Sequence, residues 1–305
     1  MIKDEFTVAY RDGEESIRID KYLPTCYEDI TRSELKKYFD ENKIKVNGKL
    51  VKPSYKVENG DLIEIEELDD VISSVIPEKI DLDIVYEDED ILVVNKPSGM
   101  VVHPAPGHMT GTLVNALMYH YQTLSTINGE NRAGIVHRID KDTSGLLIVC
   151  KNNFAHRNIS EQIKDKRAKR TYWAIVTGSI GHNLGKIDAP IGRDPDNRQK
   201  MAVVATGKPA VTHFRVLDRF RDFTLLELDL ETGRTHQIRV HMAYINHPVF
   251  GDPMYGVKKQ VSEFGQYLHA KKIGFYHPRT NEYMEFETEL PKEFKDMLDE
   301  LKRED

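Results

Sequence analysis

At 305 residues, with 39% hydrophobic and 30% charged side chains, the chain is long enough for two units with buried cores, and no stretch approaches the roughly 18 apolar residues of a membrane span. A net charge of -7 and a pI near 6.0 exclude a uniformly basic nucleic-acid binder. Cys26 and Cys150 lack CxxC or metal-type spacing and the N-terminus, charged from Lys3, has no apolar signal region, so free thiols in a cytoplasmic protein are expected.

Charge is unevenly spread along the chain. From Arg18 to Lys56 there are ten Lys or Arg against six Asp or Glu, a net of +4, whereas Val57 to Asp90 carries fourteen acids and a single cation, Lys79. That switch marks a basic module followed by an acidic tether. In the module, Ile17, Ile19 and Leu23 precede Pro24, and Thr31 with Glu34 three residues on reads as a capping box that opens a second short helix. Leu35 and Phe39 then share one helix face, with Lys36 and Lys37 outside it. IKVNGKLV alternates about Asn47-Gly48, a hairpin signal, and DLIEIE from Asp61 continues as a strand.

From Ile80 the texture becomes α+β. DIVY and ILVVN flank the acidic turn Glu87 to Asp90 as an antiparallel hairpin. Later strands are expected at LLIVC from Leu146, TYWAIV from Thr171, AVTHFRVL from Ala210 and FTLLELDL from Phe223. Helices are expected from Phe154 to Lys166, from Thr235 to Tyr244, and over PKEFKDMLDELK, where Phe294, Met297, Leu298 and Leu301 form one apolar stripe.

The densest polar cluster is GIVHRIDKDTSGLLIVCK, in which His137, Arg138, Asp140, Lys141, Asp142, Thr143 and Ser144 lie on a loop just ahead of an apolar strand. Taken alone, a carboxylate beside an arginine reads first as a structural ion pair. A second cluster, LETGRTHQIRVHMAYINHPVFGDPMYG, places Arg234 and Arg239 in or near the first turn of a helix, where cations oppose the macrodipole and call for an anion, Asp140 or a phosphate. The run KDKRAKR, net +4, suits a phosphate-binding edge. The motifs of dinucleotide, P-loop, hydrolase and zincin sites are missing, and His236, His241 and His247 have no supporting carboxylate, so neither cofactor nor metal is expected.

The segment from IRIDKYL to GDLIEIE resembles an S4 RNA-binding domain, which implies that Arg18, Arg32, Lys36 and Lys37 grip RNA, mainly at phosphates. The two polar clusters and TYWAIV resemble the RluA/RluD family of RNA pseudouridine synthases, whose motifs read HRLDxxTSG, K-x-Y and GRxHQxRVH; Ile139 replaces the usual Leu. The resemblance spans nearly the whole chain. It implies a small α/β S4 domain over residues 14–75 and, over 76–305, an α+β catalytic domain with a mixed, mainly antiparallel sheet. It implies an isomerase without cofactor, acting on RNA, with large-subunit ribosomal RNA or a pre-ribosomal particle first and transfer RNA as the alternative; a monomer is the default expectation.

By the same resemblance Asp140 is catalytic, as nucleophile at C1′ or base at C2′, with Arg239 holding it ionised. Tyr172 stacks on the uracil and helps take the C5 proton. Arg138 fills the space left by a flipped base, and Thr143, Ser144, Gly145, Arg234, His236 and Gln237 are substrate-binding positions. Two competing readings are a non-catalytic RNA-binding or ribosome-assembly factor, and a carboxylate glycosidase. The glycosidase lacks a second placed acid, Asp142 being too near in sequence.

Overall fold

The computed structural model describes residues 2–9, 16–27, 32–66, 75–105, 107–197 and 199–304. Its contacts divide the chain into two compact units. One gathers Met1–Ser73, Asp188–Ala210 and Arg234–Val240, the other Ser74–Ile187, Val211–Gly233 and His241–Asp305.

In the first unit the alternation of apolar residues builds a four-stranded antiparallel sheet. Its strands are β1 (Ile2–Thr7), β2 (Ile44–Val46), β3 (Lys49–Leu50) and β4 (Leu62–Glu66), in the order β1-β4-β2-β3. β2 and β3 meet at the expected Asn47-Gly48 turn. Helices α1 (Ile19–Cys26) and α2 (Arg32–Asp40) bury Tyr22, Leu23, Leu35 and Phe39 against Phe6, Ile44 and Ile63, while Lys36 stays exposed as expected. The expected Thr31 cap lies outside the described residues.

The segment 188–210 adds a two-stranded ribbon, β10 (Ile191–Arg193) with β11 (Met201–Val203), to this unit. Arg193 ties it down. The guanidinium donates to Asp4 Oδ2 and to the Cys26 carbonyl, each at 2.9 Å, and lies 5.1 Å over the Phe6 ring and 4.9 Å over Tyr27. Neither β1 nor this ribbon is read from the sequence.

The second unit is built on a nine-stranded sheet. It comprises β5 (Ile84–Glu87), β6 (Ile91–Lys96), β7 (Ser144–Cys150), β8 (Lys169–Thr177), β9 (Leu184–Asp188), β12 (Val211–Arg219), β13 (Phe223–Leu230), β14 (Leu268–Tyr276) and β15 (Tyr283–Glu287). The order is β5-β6-β7-β14-β8-β13-β12-β9, with β15 also on β14. β7 pairs with β14 in parallel, whereas β5–β6, β6–β7, β14–β8, β14–β15, β8–β13 and β12–β13 are antiparallel, which matches the expected mixed, mainly antiparallel sheet.

Helix α3 (Leu113–His120) starts at a capping box made by Thr112 and Asn115. Helix α4 (Asn153–Lys164) begins where Asn152 accepts from the Ala155 N–H at 2.9 Å, and packs Ala155 and Ile159 on Leu146 and Ile148. The last helix, α6 (Lys292–Glu304), covers Ile175 and Leu225 with the expected stripe of Phe294, Leu298 and Leu301. Helix α5 (Gln237–Tyr244) starts two residues later than expected because His236 takes φ +54°, so Arg234 stands outside it. Among the described residues no helix is long and apolar enough to cross a membrane.

Candidate active site

In the second unit, one row across the sheet fixes the site. Ala270 on β14 faces Gly145 on β7 and Tyr172 on β8, and Tyr172 faces Leu228 on β13. The loop carrying Asp140 ends where β7 begins, so the same row registers both that loop and Tyr172.

Gly145 permits the approach. It adopts φ +112°, and an added Cβ would lie 2.3 Å from the Ala270 carbonyl oxygen, closer than any side chain tolerates. The residues before it turn inward. The Thr143 hydroxyl accepts from Gln266 Nε2 at 3.0 Å, and the Ser144 hydroxyl lies 2.8 Å from His269 Nδ1. Both side chains are 2% exposed, so they hold the loop against the β14 segment instead of presenting hydroxyls to a substrate as expected.

The rest of the loop is tied by backbone. Lys96, fully buried at the end of β6, donates to the carbonyls of Pro97, Met100 and Lys141 at 2.7, 2.8 and 2.9 Å. The Gly99 N–H also reaches the Lys141 carbonyl, at 3.0 Å, and the Ser98 hydroxyl donates to the Asp142 carbonyl at 3.0 Å. The Thr143 N–H donates to the Asp140 carbonyl at 3.2 Å. Burial pulls the Lys96 pKa down to about 7, against the opposing pull of Asp142 and Asp140.

His137 accepts from the Ile148 N–H at Nε2, 3.0 Å away, and burial together with the Arg170 charge holds its pKa down to about 3, so the ring is neutral. Within this frame Asp140 is half-buried and Arg138 exposed. Tyr172 is buried, and burial with the Asp140 charge raises its phenol pKa while Arg170 lowers it. The phenol is therefore protonated at neutral pH.

Of the five cations in KDKRAKR, Lys164, Lys166, Arg167 and Lys169 are exposed, as an edge requires, but Arg170 is buried. Its alternation with Tyr172 along β8 puts both on one face of the strand. Sequence reasoning missed both Lys96 and Arg170 as individual site residues. The available signal was a cation closing or opening an otherwise apolar strand, each next to a motif residue.

The third motif lies in the first unit, up to Val240. Gln237 and Arg239 are buried in α5, and Gln237 Oε1 accepts from the Arg234 N–H at 3.0 Å. The Arg234 side chain donates from Nε to the Pro209 carbonyl at 3.0 Å. His241, from the same helix but in the second unit, bonds Thr212 at 2.8 Å. Of the residues expected to grip RNA, Lys36 is exposed, whereas Arg18 is engaged with Asp20 through contacts of 3.0 and 2.6 Å. The side chains of Arg32 and Lys37 lie outside the described residues.

Comparisons with known proteins identify the family. Residues 90–244 match the family model described as RNA pseudouridylate synthase, and residues 17–63 match the S4 domain. An uncharacterized RNA pseudouridine synthase of Bacillus subtilis is 52% identical over 300 residues, covering 98% of this chain and 99% of that protein. The ribosomal large subunit pseudouridine synthase D of Pasteurella multocida is 44% identical, over 93% of this chain and 91% of its own, and that of Pseudomonas aeruginosa 43%, over 94% and 92%. Among solved structures, human RNA pseudouridylate synthase domain containing 1 aligns with a TM-score of 0.58 at 26% identity, over 74% of this chain and 96% of that one. With a tightly tied Asp140 loop, a buried Tyr172 beside it and relatives matching almost end to end, the chain belongs to the RNA pseudouridine synthases, as an isomerase with an N-terminal S4 domain.

Proposed function

We propose that this synthase isomerises uridines of large-subunit ribosomal RNA, with Asp140 as its catalytic carboxylate. The observation that carries the catalytic assignment is the loop geometry: a half-buried carboxylate on a segment fixed through Lys96, Gly99, Ser98 and His137, beside the buried Tyr172. The choice of RNA is supported by the names of the two synthases D, which match this chain at 43–44% identity.

In the reaction the N1–C1′ bond breaks, the uracil turns, C5 bonds to C1′, the C5 proton leaves and N1 is protonated. Nothing is oxidised or reduced, and no energy carrier enters. Asp140 serves this either as nucleophile at C1′ or as base at C2′, and both roles need the ionised form. Arg239, buried in the first turn of α5, is assigned to keep it so.

The target base must leave its stack, at a cost of about a few kcal/mol that is least in loops. Arg138, exposed next to the catalytic carboxylate, is assigned to the space it vacates. Tyr172 then offers its ring as a stacking face and its protonated phenol as a hydrogen-bond donor.

The test uses RNA tritiated at uridine C5. The wild-type protein releases tritium from large-subunit ribosomal RNA, and Asp140→Asn abolishes release while RNA binding persists. Undiminished release by that variant sinks the catalytic assignment. Mapping of pseudouridines in cells with and without the protein checks the choice of RNA, and sites lost only from transfer RNA would overturn it.

A further inference from the structure

Arg170 is a buried charge with no ion-pair partner among the described residues. It is 7% exposed, yet among the described residues its guanidinium forms no ion pair and its Nε has no hydrogen-bond acceptor. Burying an unpaired cation is costly, and burial does lower its pKa, with only the Tyr172 phenol acting the other way. A second orphan lies close by. His137 accepts at Nε2, so its proton sits on Nδ1, and among the described residues that buried N–H also has no partner. The Arg170 charge is felt at both His137 and Tyr172, so the three side chains form one cluster.

The guanidinium lies against Gly233. A methyl group at Gly233 would come 2.8 Å from Arg170 Nη1, so the bare Cα of Gly233 leaves room for it, at an exposed position. The outcome is a planar, permanently charged donor set, positioned beside Tyr172 and opening toward the surface at Gly233. Structural arginines in such surroundings are paired with carboxylates, and among the described residues this one meets none.

We infer that Arg170 is a substrate-positioning residue that binds the RNA phosphate adjacent to the target uridine, once that nucleotide enters the site. The inference rests on the proposed reading of Asp140 and Tyr172 as the reaction centre. A phosphate held here fixes the sugar of the flipped nucleotide relative to the Asp140 loop, and it satisfies the cation only in the complex. The remaining cations of the run are exposed, and Lys166 is 2.6 Å from Glu231, so they meet RNA as a diffuse edge and do not duplicate this role.

The test compares full-length wild type, Arg170→Met and Arg170→Lys, with binding measured on the Asp140→Asn background. For Arg170→Met the slope of log affinity against log salt falls by about one and kcat/KM drops about 100-fold, largely through KM. Thermal stability is kept or raised, because an unanswered charge is removed. Arg170→Lys keeps the salt slope but not the full kcat/KM. A neutral methylphosphonate in place of the phosphate flanking the target uridine weakens the wild type and leaves Arg170→Met nearly unaffected.

If Arg170→Met does not fold, Gly233→Ala gives the same readout by displacing the guanidinium, with the methylphosphonate penalty shrinking. An unchanged salt slope and an undiminished methylphosphonate penalty, with loss confined to kcat or to stability, overturns the inference. Failure of wild-type protein to release tritium from any RNA would instead overturn the underlying reading.

Discussion

Replacing Gly145 by alanine tests whether the site is built by backbone approach between β7 and β14. The ideal Cβ falls 2.3 Å from the Ala270 carbonyl oxygen and 2.6 Å from its nitrogen, about 1 Å short of the 3.4 Å at which ordinary contact begins. Both neighbours are backbone, so no side chain can swing aside. Alanine must also hold φ +112°, a conformation costing about 1–3 kcal/mol for a residue with a Cβ. Adding the about 1–3 kcal/mol of overpacking gives a destabilisation of about 2–6 kcal/mol. Because Ala270 also faces Tyr172, a 1 Å separation of β7 from β14 moves the Asp140 loop relative to Tyr172, and such misplacement costs about 100-fold in rate. Urea unfolding with tritium release, measured on the folded fraction, reads both effects. A variant with wild-type stability and turnover would refute the claim that close strand approach positions the loop.

Two further outcomes follow from single side chains. Lys96→Met removes the donor shared by three carbonyls and is expected to lower kcat; its pH dependence carries the sign. The folded protein releases the Lys96 proton near 7 and the unfolded chain near 10.5, so between those values this group makes wild-type stability rise with pH, and the rise should vanish in the variant. Urea midpoints at pH 6.5 and 9 compare the two, and an identical pH response in both proteins contradicts the shift. Arg193→Ala loses contacts to Asp4, the Cys26 carbonyl, Phe6 and Tyr27, for an expected loss of about 2–4 kcal/mol in the first unit. Hydrogen exchange should show β1 and α1 losing protection, and unaltered protection there would count against the tether.

What could be read from the sequence was what short-range physics dictates. The Asn47-Gly48 hairpin, the β5–β6 hairpin and the α6 stripe each carry their own local signal, in turn chemistry or apolar period. β14 did not, although it is central: Lys271 and Lys272 interrupt its apolar run, and the strand exists because β7, β8 and β15 all pair with it. The start of α5 escaped for another reason. A non-glycine residue at φ +54° is set by its surroundings, not by the propensity of His236. In the site, the motif pointed to Asp140, Tyr172 and Arg239 by position, but residue type alone could not separate the hydroxyls that face inward from groups that face a substrate.

That separation changes how the motif around Asp140 is understood. Thr143, Ser144 and Gly145 follow the carboxylate in sequence, and each is used against the β14 segment: one hydroxyl on Gln266, one on His269, and a missing Cβ on Ala270. Their type is dictated by fit, so substitutions there should act through geometry. Arg138 and Asp140, at alternate positions just ahead, are the ones left accessible. The loop thus separates chemistry from support within eight residues. The same division recurs on β8, where Tyr172 and Arg170 share the inner face while the exposed Lys169 stays outside it. Among the described residues no carboxylate meets the Arg170 guanidinium in that inner position, and this is the ground on which it is assigned to a phosphate of the RNA substrate.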